Sequence, residues 1–360
     1  MPFSAVDAIS PAFEHTKRQL TQPFRFGQWI RLALVGLLAG ELSSGGGCNG
    51  PSNFRLPPHT GTSGLPGIDP ALFAGLIVVL LLAAFVLGIL FMYISSVMRF
   101  ILFDSVLAKE CHIREGWARR QGPGWRYFLW KLAYALVTFG VLIVLVGVPA
   151  GFAFAAGWFN DPKQHVAALV LAGIALFFVI ALFLIAMAVI FVLTKDFVVP
   201  QMALENVGAM EGWRRLWPMM KAEKTGYAGY VGMKIVLAIG ASIILGIVGL
   251  ILVLIILVPV AGVAVGAVFA GKAAGLGWTA GTITLAVVAG CVLLAVFFFL
   301  TALISVPAIV FFPAYSIYFF ASRYPALSAA LFPAPAASRI PAGAPPPYEP
   351  PPLPPTPEPI

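Results

Sequence analysis

The residues of this chain best suited to chemistry are cationic and aromatic. Glu115-Gly116-Trp117-Ala118-Arg119-Arg120 and Glu211-Gly212-Trp213-Arg214-Arg215 share a Glu-Gly-Trp-x-Arg pattern 96 positions apart, with Arg114 and Lys221 close by. Ammonium and guanidinium groups beside tryptophan suit the lipid–water boundary: anionic headgroups attract each cation by roughly 1 kcal/mol, and indole rings favour headgroup depth. Trp117, Arg119, Arg120, Trp213, Arg214, Arg215 and Lys221 are therefore candidates for headgroup contact or for anchoring helices in the interface. Asp104 and Asp196 stand where apolar runs end, and are candidates for structural charge pairs with those arginines, Asp196 with Arg214 among them.

Enzymatic chemistry finds no such pattern. His15, His59, His112 and His165 are scattered, and H-E-x-x-H, D-x-D, G-x-S-x-G and P-loop spacings do not occur. Metal, nucleophilic and phosphate-cradling chemistry all need such groupings. The expectation is a non-enzymatic protein with no catalytic residue, cofactor or metal. Cys48, Cys111 and Cys291 fall in a Gly-rich loop, a basic segment and an apolar run, so no disulfide framework follows.

The elements that position these residues are membrane spans. Of 360 residues 60% are hydrophobic and 10% charged, against about 25% charged in ordinary soluble domains, and so much apolar surface belongs in a bilayer. The net charge of +8 would suggest nucleic acid in a soluble protein. Here the positives flank apolar runs, and the expected partners are membrane lipids, with no nucleic acid. Apolar runs predict six transmembrane helices at about 28–42, 71–97, 132–155, 166–194, 230–257 and 281–312. The first is short, with Arg31 and Glu41 near its ends. The fifth is expected to stop near Leu257, where Pro259 and nearby glycines would bend residues 258–280 into a broken or re-entrant piece. Of the 22 Lys and Arg, 19 fall on one side of this scheme, which by the positive-inside rule makes that side, and both termini, cytoplasmic. Charges within spans lie near their ends, which disfavours ion-coupled transport.

The two Glu-Gly-Trp elements and a weaker likeness at Phe13 to Arg18 predict three tandem units, each an interfacial amphipathic helix plus a helical hairpin. In the second unit Met210, Trp213, Leu216 and Trp217 share one helical face, and Pro218 is expected to end that helix. Residues 1–332 would form this all-α membrane domain. Residues 333–360 form a Pro-rich tail, expected to be disordered, whose Pro345-Pro346-Pro347-Tyr348 and PxxP steps suit a docking tether for a protein partner.

Phe13-x-x-Thr16-Lys17-Arg18, Phe24 to Trp29, Gly40-Glu41 with the following glycines, Asp196 to Pro200 and Glu211 to Arg214 resemble an uncharacterised bacterial multi-pass membrane family, a domain of unknown function. More distantly the chain is similar to the membrane domain fused to some glycerophosphodiester phosphodiesterases. The resemblance spans about residues 8 to 325 and implies a bacterial cytoplasmic-membrane location, with no catalytic residues. The functional expectation is a scaffold or lipid-contacting accessory protein; the alternative is a transporter or flippase for an apolar or lipid-like molecule.

Overall fold

The computed structural model describes residues 4–22, 24–41, 70–158, 164–273 and 280–332. Among them every regular element is helical: α1 Ile9–Thr21, α2 Phe26–Ala39, α3 Pro70–Ala108, α4 Ile113–Ala155, α5 Val166–Leu193, a π-helical turn Thr194–Val198, α6 Val199–Glu205, α7 Ala209–Ala222, α8 Lys224–Ala273, α9 Ala280–Ile304, α10 Val306–Ala321 and α11 Pro325–Leu331. The Gly-rich loop, the turn around Asp161 and the Pro-rich tail lie outside the described residues.

Among the described residues five helical stretches are long and apolar enough to cross a membrane: Gly75–Ala108, Ile113–Ala155, Val166–Glu205, Lys224–Val260 and Thr284–Ile304. Their middles are not packed in a protein core. Leu81, Phe139, Leu171, Ile244 and Leu285 are all exposed. Apolar side chains left bare in such number have a hydrocarbon solvent, and the chain is a membrane protein.

Three spans differ from the sequence expectation. The segment expected at 28–42 is α2, with 14 residues, which at ~1.5 Å per residue is shorter than the ~30 Å hydrocarbon core. It runs antiparallel to the last part of α3: Gln28 donates to the Lys109 carbonyl at 2.7 Å, and Ser95 donates to the Ala39 carbonyl at 3.4 Å. The fifth span does not stop near Leu257, because α8 continues through Pro259 to Ala273. Proline is tolerated within membrane helices because neighbouring groups and local adjustments satisfy the freed carbonyl. The last expected span is divided at Ser305 into α9 and α10.

The buried core gathers at one end of the long helices. It joins α1, α2, the end of α3, the start of α4, the π turn, α6, α7, the start of α8 and α10. Phe197 lies at its centre, with ring centroids 4.9 Å from Tyr230, 5.0 Å from Phe320 and 5.3 Å from Tyr227. Arg323 clamps the edge of this headpiece with a two-point contact to Glu223 at 2.6 and 2.7 Å. That contact holds the Glu223 carboxyl below the usual carboxylate range.

Two glycines make the close helix contacts possible. A Cβ on Gly36 would sit 2.4 Å from Ile309 Cγ2, and one on Gly124 would sit 2.7 Å from Val97 Cγ2 and 3.2 Å from the Val97 Cα. The second contact includes backbone, so α3 and α4 must part to admit even a methyl. Gly124→Ala is expected to lower stability by about 1–3 kcal/mol, read as a drop in the melting temperature of the detergent-solubilised protein. By contrast Gly147 and Gly151, a GxxxG pair, would each accept a methyl with nothing within 4 Å of it.

His15 of α1 is buried in the headpiece. Its Nε2 lies 2.8 Å from the Val106 carbonyl and its Nδ1 lies 3.3 Å from the Tyr318 hydroxyl. The neutral ring meets both, donating through Nε2–H and accepting at Nδ1. Burial is the main cause that lowers its pKa, and the Lys109 charge adds to it, against the Val106 hydrogen bond. A lowered folded-state value means the unfolded chain takes up a proton first as pH falls below about 6.5. Stability should therefore be level above that pH and decline toward pH 5. His15→Gln, which keeps a donor toward Val106, should flatten that decline in pH-dependent melting curves.

Candidate functional site

Four of the long helices carry an uncharged run with a cation at its headpiece end, and those cations converge. Arg99 follows the uncharged run of α3, Lys131 precedes that of α4, Lys195 follows that of α5, and Lys234 precedes that of α8. All four line one cavity of about 640 Å³. Its walls are Ala39 and Gly40 at the end of α2, Ser95 of α3, Tyr127 of α4, Ile185, Ala188, Val189 and Val192 of α5, and Val231, Ile235 and Ala238 of α8. One end is cationic. The other is apolar and continues along α5 as far as Ile185, ten positions or roughly 15 Å from Lys195.

Local structure explains how the charges reach this place. The chain leaves α2 through Gly40 at φ 78°, a left-handed cap in which Gly40 N–H donates to Leu37 and Glu41 N–H donates to Gly36 at 3.0 Å. A side-chain-bearing residue resists that conformation, so glycine suits this cap. The reversal places Glu41 against both Arg99 and Lys195, with Lys195 Nζ 2.6 Å from Glu41 Oε2. The Glu41 side chain is 2% exposed. At the end of α5 the π turn widens the helix, so that successive residues take different partners. Lys195 turns to Glu41, and Asp196 turns to Lys234 while accepting from the Tyr230 hydroxyl at 3.0 Å. Trp213 of α7 fixes the turn by donating to the Thr194 hydroxyl at 3.0 Å.

Lys131 is held differently. Its ammonium donates to Ser95 at 3.3 Å and lies 5.7 Å from the centre of the Tyr127 ring. Among the described residues no carboxylate lies within ion-pair distance of it. Among the described residues, then, four cations line the cavity, and two carboxylates, Glu41 and Asp196, meet three of them. Such an arrangement suits an anion at the cationic end. Among the described residues no cluster of three His, Cys, Asp or Glu could hold a metal ion.

The residues singled out by the Glu-Gly-Trp pattern sit outside this cavity, around the headpiece. Asp104 pairs with Arg120 through two contacts of 2.7 Å and with Arg119 at 3.3 Å, and Arg120 also meets the Ala203 carbonyl, linking α4 to α6. Asp196 does not meet Arg214: Arg214 is exposed and pairs with Glu211 at 3.0 Å, while Asp196 is buried with Lys234. The reason is orientation, since Gly212 and Leu216 press α7 inward and turn Arg214 outward. Arg215 bridges Glu205 and Glu211, which raises its pKa through those two side-chain contacts. Trp117 lies edge-on to Tyr93 at 6.2 Å.

On α7 the expected shared face divides. Leu216 is fully buried and Trp213 partly so, whereas Met210 is 75% and Trp217 54% exposed, with Lys221 lying 5.4 Å above the Trp217 ring. The helix also runs through Pro218 to Ala222 rather than ending there. Replacing both Met210 and Trp217 by Ser should keep stability within about 0.5 kcal/mol of wild type, since surface changes away from special features are small. The same change should weaken headgroup-level contact, read as faster labelling of the Lys221 amine by an aqueous acylating reagent in anionic nanodiscs.

Each span taken singly conceals the cavity, but one signal is present in the sequence. Arg99 and Lys195 are separated by the same 96 positions as the two Glu-Gly-Trp elements. The two glycines of those elements also do equivalent work: Gly116 backs onto Ile101, with a Cβ 3.2 Å from its side chain, and Gly212 backs onto Val198 at 2.7 Å.

No curated protein and no solved structure matches the chain. A family does, over residues 3–330, so that nearly all of the described structure falls inside the match. The chain belongs to the family described as "Family of unknown function (DUF7544)".

Proposed function

We propose that this is a non-enzymatic, lipid-binding accessory protein of a bacterial cytoplasmic membrane, which seats an anionic lipid in the cavity between α3, α4, α5 and α8. One observation carries the reading: the four cations that bound the uncharged runs of those helices line the same cavity, whose far end is apolar. A lipid has that polarity, with charge at headgroup depth and hydrocarbon below. Lys131 carries the reading furthest: its ammonium meets the Ser95 hydroxyl and the Tyr127 ring, and a cation held at that depth favours a nearby anion.

The positive-inside count supports a cytoplasmic headpiece with both termini on that side. In this arrangement α2 reaches only part of the bilayer depth, and the three-unit repeat is expressed as helix ends meeting in one headpiece. Trp117, Arg119, Arg120, Trp213, Arg214, Arg215 and Lys221 then ring it at headgroup level. The Pro-rich residues 333–360 serve as a tether for a protein partner.

Gentle extraction followed by native mass spectrometry tests the lipid reading. Wild type should retain an anionic lipid, and Lys131→Gln should retain several-fold less. Equal retention, or retention of zwitterionic lipid alone, would contradict it. Lipid translocation is a second reading, supported by the cavity's extension along the apolar part of α5. Reconstituted protein that moves fluorescent anionic lipid between leaflets, and loses this with Lys131→Gln, would favour it over static binding.

A further inference from the structure

We infer that the cavity takes its ligand sideways from the bilayer hydrocarbon, through an opening between α5 and α8. The ligand class is then an amphiphile dissolved in the membrane, not an anion free in water. The inference deepens the lipid-binding reading and rests on it.

The other seams of the ring of helices around the cavity are closed. Ser95 of α3 donates to the Ala39 carbonyl at the end of α2 at 3.4 Å. Lys131 of α4 donates to Ser95 at 3.3 Å, and Gly124 lets α4 rest directly on Val97 of α3. Between α4 and α5 the Tyr134 hydroxyl donates to the Met187 carbonyl at 2.6 Å, and its ring centroid lies 5.9 Å from that of Phe191. On the remaining side α9 packs against both α2 and α8.

The seam between α5 and α8 differs. At the headpiece it is pinned, because Asp196, just past α5, meets Lys234 of α8, and the Phe197 ring lies 4.9 Å from that of Tyr230. Beyond that pin the two helices part, and among the described residues they do not pack closely along their length. Ile185 of α5 and Ile235 of α8 line the cavity and are nonetheless 61% and 54% exposed. Apolar walls parted at this depth open onto acyl chains. From the aqueous side a ligand would meet the packed headpiece, where Tyr127 and Tyr230 are fully buried behind the cations. A lateral route lets a charged headgroup reach those cations while its chains stay in hydrocarbon, so no methylene is exposed to water on the way.

The test links α5 to α8 reversibly in the purified full chain. Ala188 and Ser242 each stand eight positions from the Asp196–Lys234 pair, which by helical rise sets both at one height roughly 12 Å from it. Ala188→Cys with Ser242→Cys, in a chain that also carries Cys48→Ala, Cys111→Ala and Cys291→Ala, is joined by bis-methanethiosulfonate linkers of graded length. Native mass spectrometry then follows exchange of deuterated dioleoyl phosphatidylglycerol with nanodiscs of that lipid and dioleoyl phosphatidylcholine. Linking should slow both loss of bound phosphatidylglycerol and uptake of fresh lipid by at least about tenfold, and reducing agent should restore both. Unchanged exchange after linking, with wild type still retaining phosphatidylglycerol, would overturn the lateral route and leave the lipid reading standing. Wild type that retains no phosphatidylglycerol would overturn both. If no linker joins the pair, Ala188→Trp and Ala186→Trp decide instead, since both positions are exposed on α5 and of the two only Ala188 lines the cavity. Exchange slowed by Ala188→Trp and not by Ala186→Trp supports the route; equal rates overturn it.

Discussion

Glu41→Gln is expected to cost about 3–5 kcal/mol, the usual consequence of removing one partner from a buried charge cluster. The carboxylate is 2% exposed and meets both Arg99 and Lys195. A neutral amide would remove the carboxylate that both cations meet. The measurement is thermal unfolding in detergent, where the loss should show as a large drop in melting temperature. A triple variant with Glu41→Met, Arg99→Met and Lys195→Met should recover most of it, since an apolar cluster of similar volume costs less than an orphaned charge. Because the energy lies in charge compensation, adding anionic lipid should partly restore the single variant, and zwitterionic lipid should not. A melting temperature unchanged by Glu41→Gln would mean that the cluster is solvated, and the cavity would lose its electrostatic basis.

Asp196→Ala should be nearly as damaging, by about 3–5 kcal/mol. Asp196 is the carboxylate of Lys234 and also accepts from the buried Tyr230 hydroxyl at 3.0 Å. Its loss orphans a charge and a hydroxyl together. Pairing it with Lys234→Met should return the larger share, and adding Tyr230→Phe the remainder, because each removes a polar group that has lost its partner. The order matters: if Tyr230→Phe rescues more than Lys234→Met, the hydrogen bond outweighs the ion pair. Charge reversal at Arg214 should rescue nothing, since Arg214 faces outward to Glu211.

Membrane character is plain in the sequence because hydrocarbon imposes a length and a composition that show as uninterrupted runs. The charges that bound each run are equally visible. One dimension hides that Arg99, Lys131, Lys195 and Lys234 meet at one level in space, so that four separate ends form one site. Glu41 reads along the chain as the far end of a span. In three dimensions α2 is a 14-residue helix whose glycine cap delivers Glu41 to a lysine 154 positions away. No periodicity encodes such a contact. The π turn is also invisible in the sequence, since its effect, sending Lys195 and Asp196 to different partners, depends on a helical geometry that propensities do not distinguish. The anchor residues are recognisable by type, but their partners are not. Which face of α7 is inward is decided by Gly212 against Val198, a contact between segments rather than a property of either.

The most direct test of the lipid site is a high-resolution electron cryomicroscopy map of the full chain in nanodiscs containing phosphatidate and phosphatidylcholine. The expected result is headgroup density within hydrogen-bonding distance of Lys131 and Arg99, continuous with acyl density beside Val189 and Ile235. A cavity filled by protein side chains, or occupied by hydrocarbon with no headgroup at the cations, would contradict the account.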